Sequence, residues 1–193
     1  MIKKQLLLWV SVLAVLLAAC TSKPAPDIHA PTSITMVTTG DLTTITANAK
    51  TFAWHPTMFT VHTNNKLDDE ELIRHMRQSI TKIMDKKGYS LVDESQFPNI
   101  VVGFGMTLES EMSDQEILEK AGLVAGLSTE GVDDEFEKGS VLVAVFSPQS
   151  QQPIWRVLAQ GFTDTDKPVK NREQRFDKLT TMMLSAIPAR TSY

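Results

Sequence analysis

Cys20 is the residue whose type and surroundings together indicate a specific chemistry. It is the only cysteine in the chain, and its thiol directly follows Leu17, Ala18 and Ala19. Small side chains before the thiol let an extended backbone enter a peptidase cleft, and the sulfur can act as the nucleophile that accepts a lipid. We therefore expect Cys20 to be acylated and the bond between Ala19 and Cys20 to be cleaved.

The residues before Cys20 have the order of a secretory signal. Lys3 and Lys4 precede a mainly apolar run from Leu6 to Leu17. As a helix this run would be about 18 Å long, whereas the hydrocarbon core of a bilayer is about 30 Å thick. The run is therefore too short for a permanent transmembrane span, and we interpret residues 1–19 as a signal peptide.

Leu17-Ala18-Ala19-Cys20 resembles the bacterial lipobox, so the predicted mature protein is a lipoprotein, with palmitate among the acyl chains attached to Cys20. The alternative is an ordinary signal peptide with a cysteine nearby by chance. Thr21 follows the cysteine. In lipoproteins of this kind the absence of an aspartate at this position favours the outer membrane, and we expect the domain to face the periplasm. Residues 20–32 are rich in proline and would form a tether, which leaves residues 33–193 as a single globular domain.

The rest of the sequence carries no recognisable catalytic, metal or cofactor motif. Gly103-Phe104-Gly105 lacks the third glycine of a dinucleotide fingerprint, and Ser140 has no nucleophile elbow around it. The four histidines have neither a metal-ligand spacing nor an accompanying free cysteine. We predict no catalytic residue, no metal site and no cofactor. Enzymatic activity stays uncertain, because the carboxylates of a glycosidase need no local motif.

Composition narrows the partners further. The net charge is −4, and lysine and arginine form no cluster that would mark a phosphate-binding face. Nucleic acid is therefore an improbable partner, and the predicted partner is the lipid bilayer that holds acylated Cys20. With its only thiol lipidated, the mature chain would have no disulfide, so packing alone must stabilise the domain.

Trp54 and Trp155 are the candidate lining of a ligand pocket, because large aromatic side chains bind apolar or sugar-like molecules. Both residues lie on segments that are otherwise patterned for burial. Core packing is the favoured interpretation of the pair.

Hydrophobic periodicity and capping signals predict the elements that must position these residues. Asp68 with Glu71 and Ser113 with Glu116 have the spacing of capping boxes at helix starts. The predicted helices are Asp69 to Lys87, Asp114 to about Leu123, and one that opens at Asn171; the predicted strands are two within Ser33 to Thr46, then Lys50 to Trp54, Tyr89 to Val92, Ile100 to Glu109, Gly139 to Phe146 and Ile154 to Phe162. They predict an α+β fold of two layers, with a mostly antiparallel sheet and helices packed on one face.

Several short motifs occur in a familiar order: Lys50-Thr51-Phe52-Ala53-Trp54, Lys87-Gly88-Tyr89, Pro98-Asn99, Pro153-Ile154-Trp155-Arg156 and Ile187-Pro188. In this the chain resembles the bacterial lipoprotein family catalogued as domain of unknown function 4136, over roughly Thr44 to Arg190. It departs at Asn99, where aspartate is usual, and at Val157, where glycine is frequent. The segment Glu111 to Lys138 is also longer than is typical. The resemblance implies a fold and an envelope location but no activity.

Three functional hypotheses follow. The first is a non-enzymatic lipoprotein of the envelope that binds a partner protein or a small apolar ligand in the periplasm. The second is a periplasmic hydrolase that acts on cell-wall or glycan material, which requires two facing carboxylates about 5 to 10 Å apart in a cleft. The third is a passive structural protein without a large apolar surface patch.

Overall fold

The computed structural model describes residues 33–63, 67–124, 126–165 and 171–190. The predicted signal peptide, Ala19, Cys20 and the tether lie outside these residues. Within them the chain has an α+β fold, as predicted. Its elements are β1 (Thr35–Gly40), β2 (Thr51–His62), α1 (Asp69–Lys86), β3 (Ser90–Leu91), β4 (Ile100–Leu108), α2 (Asp114–Ala121), β5 (Phe136–Phe146), β6 (Pro153–Asp164) and α3 (Arg172–Met183).

The strands form one sheet in the order β1-β6-β5-β4-β2-β3. Strands β4, β5 and β6 form an antiparallel meander, and β1 adds to β6, also antiparallel. Strand β2, in contrast, pairs parallel with both β4 and β3. The parallel pairing arises because α1 lies between β2 and β4 in the chain and returns it to the same end of the sheet, as a crossover helix does.

Helices α1 and α3 cover one face of the sheet. The predicted apolar stripe of α1 is buried, with Met76 and Ile80 fully inaccessible to solvent. This face holds the main core, which includes Phe104 of β4 and Val143 of β5. Asp177 of α3 fastens the two helices together, since its carboxylate accepts a hydrogen bond of 2.8 Å from Ser79 of α1 and a further one from Lys82.

Helix α2 lies over the opposite face, which we call the open face. Ile117 and Ala121 of this helix pack against Leu158 of β6 and Leu142 of β5. Side chains alternate along a strand, so these two leucines point away from the core residues beside them. The helix has eight residues and covers only part of the open face, adding an incomplete third layer to the predicted two.

Two segments differ from the predicted strands. After β1 the chain forms a short 3-10 helix at Leu42–Thr44 instead of a second strand, because the side chain of Asp41 accepts a hydrogen bond from the Thr43 amide at 2.8 Å and caps that turn. Strand β2 does not end at His55-Pro56 but continues to His62. Its register with β4 shifts between Trp54 and Phe59, so the missing amide hydrogen of Pro56 removes no hydrogen bond from that ladder.

Candidate functional site

A groove of about 270 Å³ crosses the open face between α2 and β2. Its floor is formed by β4, β5 and β6. One wall is formed by α2 and by Met112, which precedes the helix, and the other wall by the second half of β2. The floor residues are Gly105, Met106, Thr107, Ser140, Leu142 and Leu158; the walls are Met112, Ile117, Lys120 and Ala121 on the helix side and Met58, Thr60 and His62 on the strand side.

The depth of the groove comes from Gly105. Strand register places Thr60, Gly105, Leu142 and Leu158 in one row across β2, β4, β5 and β6. A Cβ atom on Gly105 would have only the Thr60 carbonyl oxygen within reach, at an ordinary 3.7 Å. The space above this glycine is therefore empty of protein atoms, and a side chain there would fill it.

Met58 occupies the equivalent space over Gly103. A Cβ atom on Gly103 would lie 2.7 Å from the Cβ of Met58, closer than real atoms approach. The irregular turn in β2 places Met58 there: Nδ1 of His55 accepts hydrogen bonds from the Thr57 and Met58 amides at 3.3 and 3.2 Å. The His55 ring in turn packs on Phe146, with centroids 4.7 Å apart.

The N-terminal end of α2 is anchored to the sheet by Gln160, which is only 2% exposed. Its amide nitrogen donates to Asp114 of α2 at 2.9 Å and to the Ser140 hydroxyl at 3.0 Å. Its amide oxygen accepts from the backbone of Gly126 and Leu127, both at 3.0 Å. One glutamine thus connects two strands, the helix and the segment that follows it.

Lys138 is the second anchor at this end. Its side chain is 4% exposed, and its ammonium lies 2.8 Å from Asp114 and 2.9 Å from Glu109. Burial alone would lower the pKa of Lys138, but the bonds to these carboxylates outweigh it and raise that pKa above its usual value. Partial burial likewise acts to raise the pKa of Asp114, and the hydrogen bonds from Lys138 and Gln160 hold it below its usual value. One ammonium thus binds two carboxylates at this end of α2.

The C-terminal end of α2 is held by a single bond from the sheet. Arg156 of β6 donates from Nη1 to the carbonyl oxygen of Ala121 at 2.6 Å. A cation at the last carbonyls also suits the helix dipole. Polar side chains therefore fix both ends of the helix that forms one wall of the groove.

The lining indicates binding rather than acid-base chemistry. Aliphatic and thioether side chains predominate, and no carboxylate is among the described residues that line the groove. The nearby carboxylates of Glu109 and Asp114 both bind the ammonium of Lys138 instead of facing the groove as a free pair. Across the ranges that the structure describes, no three metal-ligating side chains gather in one place.

The structure does not bring Trp54 and Trp155 together in one pocket. Strand register places Trp54, Val102, Val145 and Trp155 in one row, on the face covered by α1 and α3. Three strand spacings of about 4.8 Å, or about 14 Å in all, therefore separate the strand positions of the two tryptophans. Trp155 is 4% exposed and belongs to the main core. Trp54 is half-buried, and the guanidinium of Arg77 stacks over it at 5.2 Å. Neither residue lines the groove.

The groove itself was not predicted from the sequence. Its signal was the pair of glycines at alternate positions of β4, because a glycine inside a strand often marks the close approach of another group. At Gly103 the approaching group is a side chain, and at Gly105 the space stays open. Cys20 and Ala19 remain predictions, because they lie outside the described residues.

Comparison with known proteins gives a family and a fold. Residues 37–189 match the family described as domain of unknown function, DUF4136. A chain of the PelC dodecamer from Paraburkholderia phytofirmans is similar in structure, with a TM-score of 0.50 and 11% sequence identity over 82% of this chain and 100% of that chain. A DUF4136 family protein from Bacteroides thetaiotaomicron has a TM-score of 0.49 and 11% identity over 81% of this chain and 98% of that chain. No curated protein sequence matches.

No helix in the part of the chain that the structure describes is long and apolar enough to cross a membrane. At 11% identity, the PelC chain shows likeness of fold alone.

Proposed function

The chain belongs to the DUF4136 family, and on that premise we propose that it is a non-enzymatic binding module of the bacterial envelope. In this proposal an acylated Cys20 holds it on the outer membrane with the domain in the periplasm, and the groove on the open face takes a small apolar ligand. The observation that carries the proposal is an apolar groove over Gly105 with no carboxylate in its lining.

The lining supports a binding role on three grounds. Ligand pockets are typically apolar with a few polar groups at fixed places, and the groove has this composition. Met58 and Met112 contribute flexible thioether side chains, which adapt to the shape of a ligand. The bonds that fix both ends of α2 keep one wall in place before any ligand arrives, which lowers the entropic cost of binding.

The anchor follows from the sequence around Cys20. An acyl chain contributes about 0.8 kcal/mol per buried methylene, and two chains suffice for stable attachment to a bilayer. A lipoprotein with its domain close to the bilayer would meet apolar molecules that leave or enter the membrane. The location and the groove therefore support the same class of ligand.

The test uses full-length protein in phosphatidylcholine nanodiscs, with empty nanodiscs as the blank and 1-decanol as a neutral apolar probe. The carbon-13 methyl signal of each methionine reports on ligand binding near that side chain. Met58 and Met112 line the groove, whereas Met76 is a buried residue of α1 on the other face of the sheet. We expect saturable shifts at the first two and none at Met76. If neither groove methionine shifts, the groove does not bind apolar ligands and the proposal fails.

A matched pair of variants checks the site. Gly105→Val places a side chain in the empty space above β4, and we expect it to weaken decanol binding at least tenfold. Gly139→Val is the control. Gly139 is also a half-buried strand glycine, and an added Cβ there would make only ordinary contacts, at 3.9 Å or more. Its side chain would point to the face covered by α1 and α3, away from the groove. Equal weakening by both variants would argue against the groove.

The hypothesis of a hydrolase acting on cell-wall or glycan material gains no support from the groove. Glycoside hydrolysis needs two carboxylates facing one cleft, and the lining of the groove has none. Binding of an apolar side chain from an envelope protein remains the alternative occupant. It would compete with decanol for the same methionine signals.

A further inference from the structure

We infer that the ligand of the groove is a single-chain amphiphile with an anionic head group, and that Lys120 binds the head group. This inference rests on the proposed function, because it concerns the same groove. It adds the chemical class of the ligand and the residue that selects it.

Among the described lining residues, Lys120 carries the ammonium group. It lies on the exposed flank of α2, one residue before Ala121, whose side chain packs on the sheet. The described lining residues also include His62 and no carboxylate. An ammonium in a lining whose described residues include no carboxylate favours an anionic group on the ligand.

The two carboxylates near Lys120 on the helix are hydrogen-bonded to other residues. Glu119, which directly precedes Lys120, accepts a hydrogen bond of 2.8 Å from the side-chain amide of Gln115. Glu116, one turn before Lys120, accepts hydrogen bonds at 2.9 Å from both the amide and the hydroxyl of Ser113 and completes the cap of α2. None of the ion pairs found among the described residues involves Lys120. Glu116 attracts Lys120 electrostatically, but without an ion pair at bonding distance the ammonium can still bind a ligand.

The floor of the groove suits an alkyl chain rather than a polar body. The two hydroxyl groups of the floor are already engaged: Thr107 donates to the carbonyl of Leu108 at 3.0 Å, and Ser140 accepts from Gln160 at 3.0 Å. Thr107 and Ser140 pair in one row of the floor, and the next row on the same face presents Gly105, Leu142 and Leu158. A ligand therefore gains little from polar groups placed deep in the groove.

Size favours one chain over two. The volume of about 270 Å³ lies just below the usual range of ligand pockets, which is about 300 to 1,000 Å³. The row from Leu158 to Thr60 spans three strand spacings, or about 14 Å. This is room for one extended chain, whereas a diacyl lipid would leave much of its apolar surface in water.

The experiment compares three probes with the same ten-carbon chain: decanoate, 1-decanol and decylammonium. Full-length protein in phosphatidylcholine nanodiscs is titrated at pH 8, and affinity is read from the methyl signals of Met58 and Met112. We expect decanoate to bind about two- to fivefold more tightly than decanol, as one partly exposed ion pair allows, and decylammonium to bind most weakly.

Two variants of equal charge change identify the residue. Lys120→Gln should remove the preference for decanoate over decanol and leave decanol binding unchanged. Lys86→Gln is the control, because Lys86 is an exposed lysine on α1 outside the groove, and it should keep the preference.

The outcomes separate this inference from the proposed function. Saturable binding of all three probes with equal affinity, or a preference that survives Lys120→Gln, would overturn the head-group assignment and leave the apolar groove standing. Absence of any shift at Met58 and Met112 would overturn both.

Discussion

Replacing Lys138 by methionine is expected to destabilise the protein by about 2 kcal/mol. Lys138 is 4% exposed and bonds to the carboxylates of Asp114 and Glu109 at 2.8 and 2.9 Å and to the carbonyl of Leu127 at 3.3 Å. Methionine keeps most of the aliphatic stem and its packing. The change therefore removes the charge and its bonds while leaving little cavity.

The magnitude is bounded from both sides. Removing one member of a fully buried ion pair costs about 3 to 5 kcal/mol, because the remaining charge is left uncompensated. Here the side chains of Glu109 and Asp114 are 39% and 37% exposed, so water screens the charges that remain, and exposed pairs contribute only about 0.2 to 1 kcal/mol. Asp114 also keeps its bond from Gln160. An intermediate loss of about 2 kcal/mol follows.

Urea denaturation followed by circular dichroism measures this loss. For an m-value of about 2 kcal/mol/M the midpoint should fall by about 1 M, and thermal unfolding should shift down by about 4 to 8 °C. Lys86→Met is the control and should change stability by less than about 0.5 kcal/mol, as exposed substitutions do. If Lys138→Met matched Lys86→Met, the claim that Lys138 anchors α2 would be refuted.

Three further predictions concern other parts of the chain. Hydrogen bonds hold the pKa of Asp114 below its ordinary value of 3.8. The stability contributed by its ionised form is therefore present above that value and is lost as the pH falls through the lower pKa of the folded state. Urea midpoints measured from pH 6 to pH 3 should begin to decrease below about pH 5, and the decrease should be smaller in Lys138→Met. Phe97 is 89% exposed with φ of 52°, so Phe97→Asn should raise the free energy of unfolding by about 0.5 to 1 kcal/mol, because asparagine tolerates this left-handed conformation better; a loss of stability would contradict this. Cys20→Ser should move the exported protein from the membrane fraction to the soluble fraction, and mass spectrometry of the unaltered protein should find Cys20 acylated and no longer joined to Ala19; an unacylated cysteine would refute the anchor.

Local signals predicted the helices well, because caps are encoded within four residues. The Asp68 side chain accepts from the Glu71 amide at 3.0 Å, and Ser113 and Glu116 form the complete reciprocal box. The end of α1 was also encoded locally, since Gly88 adopts φ of 83° just beyond it. These features need no knowledge of the rest of the fold.

The course of β2 could not be predicted in the same way. His55-Pro56 is typical of the end of a strand, yet the chain continues to His62 because the register shift removes these residues from the ladder with β4. That accommodation depends on the position of β2 in the sheet, which is a long-range property. The parallel pairing with β4 depends in turn on where α1 packs.

The groove was missed because its wall is attached through polar residues that periodicity assigns to solvent. Along β6, Arg156 and Gln160 alternate with buried residues. Nothing in the sequence around Lys138, at the start of β5, distinguishes it from a surface lysine. In the structure Gln160 and Lys138 are 2% and 4% exposed, and each bonds to α2 or to the segment beside it. A hydrophobic pattern shows which apolar side chains are buried. It does not show which polar side chains are buried and form hydrogen bonds to a helix end instead of to water. Because those same groups set how far α2 stands from β2, the width of the groove depends on hydrogen bonds that the pattern does not show.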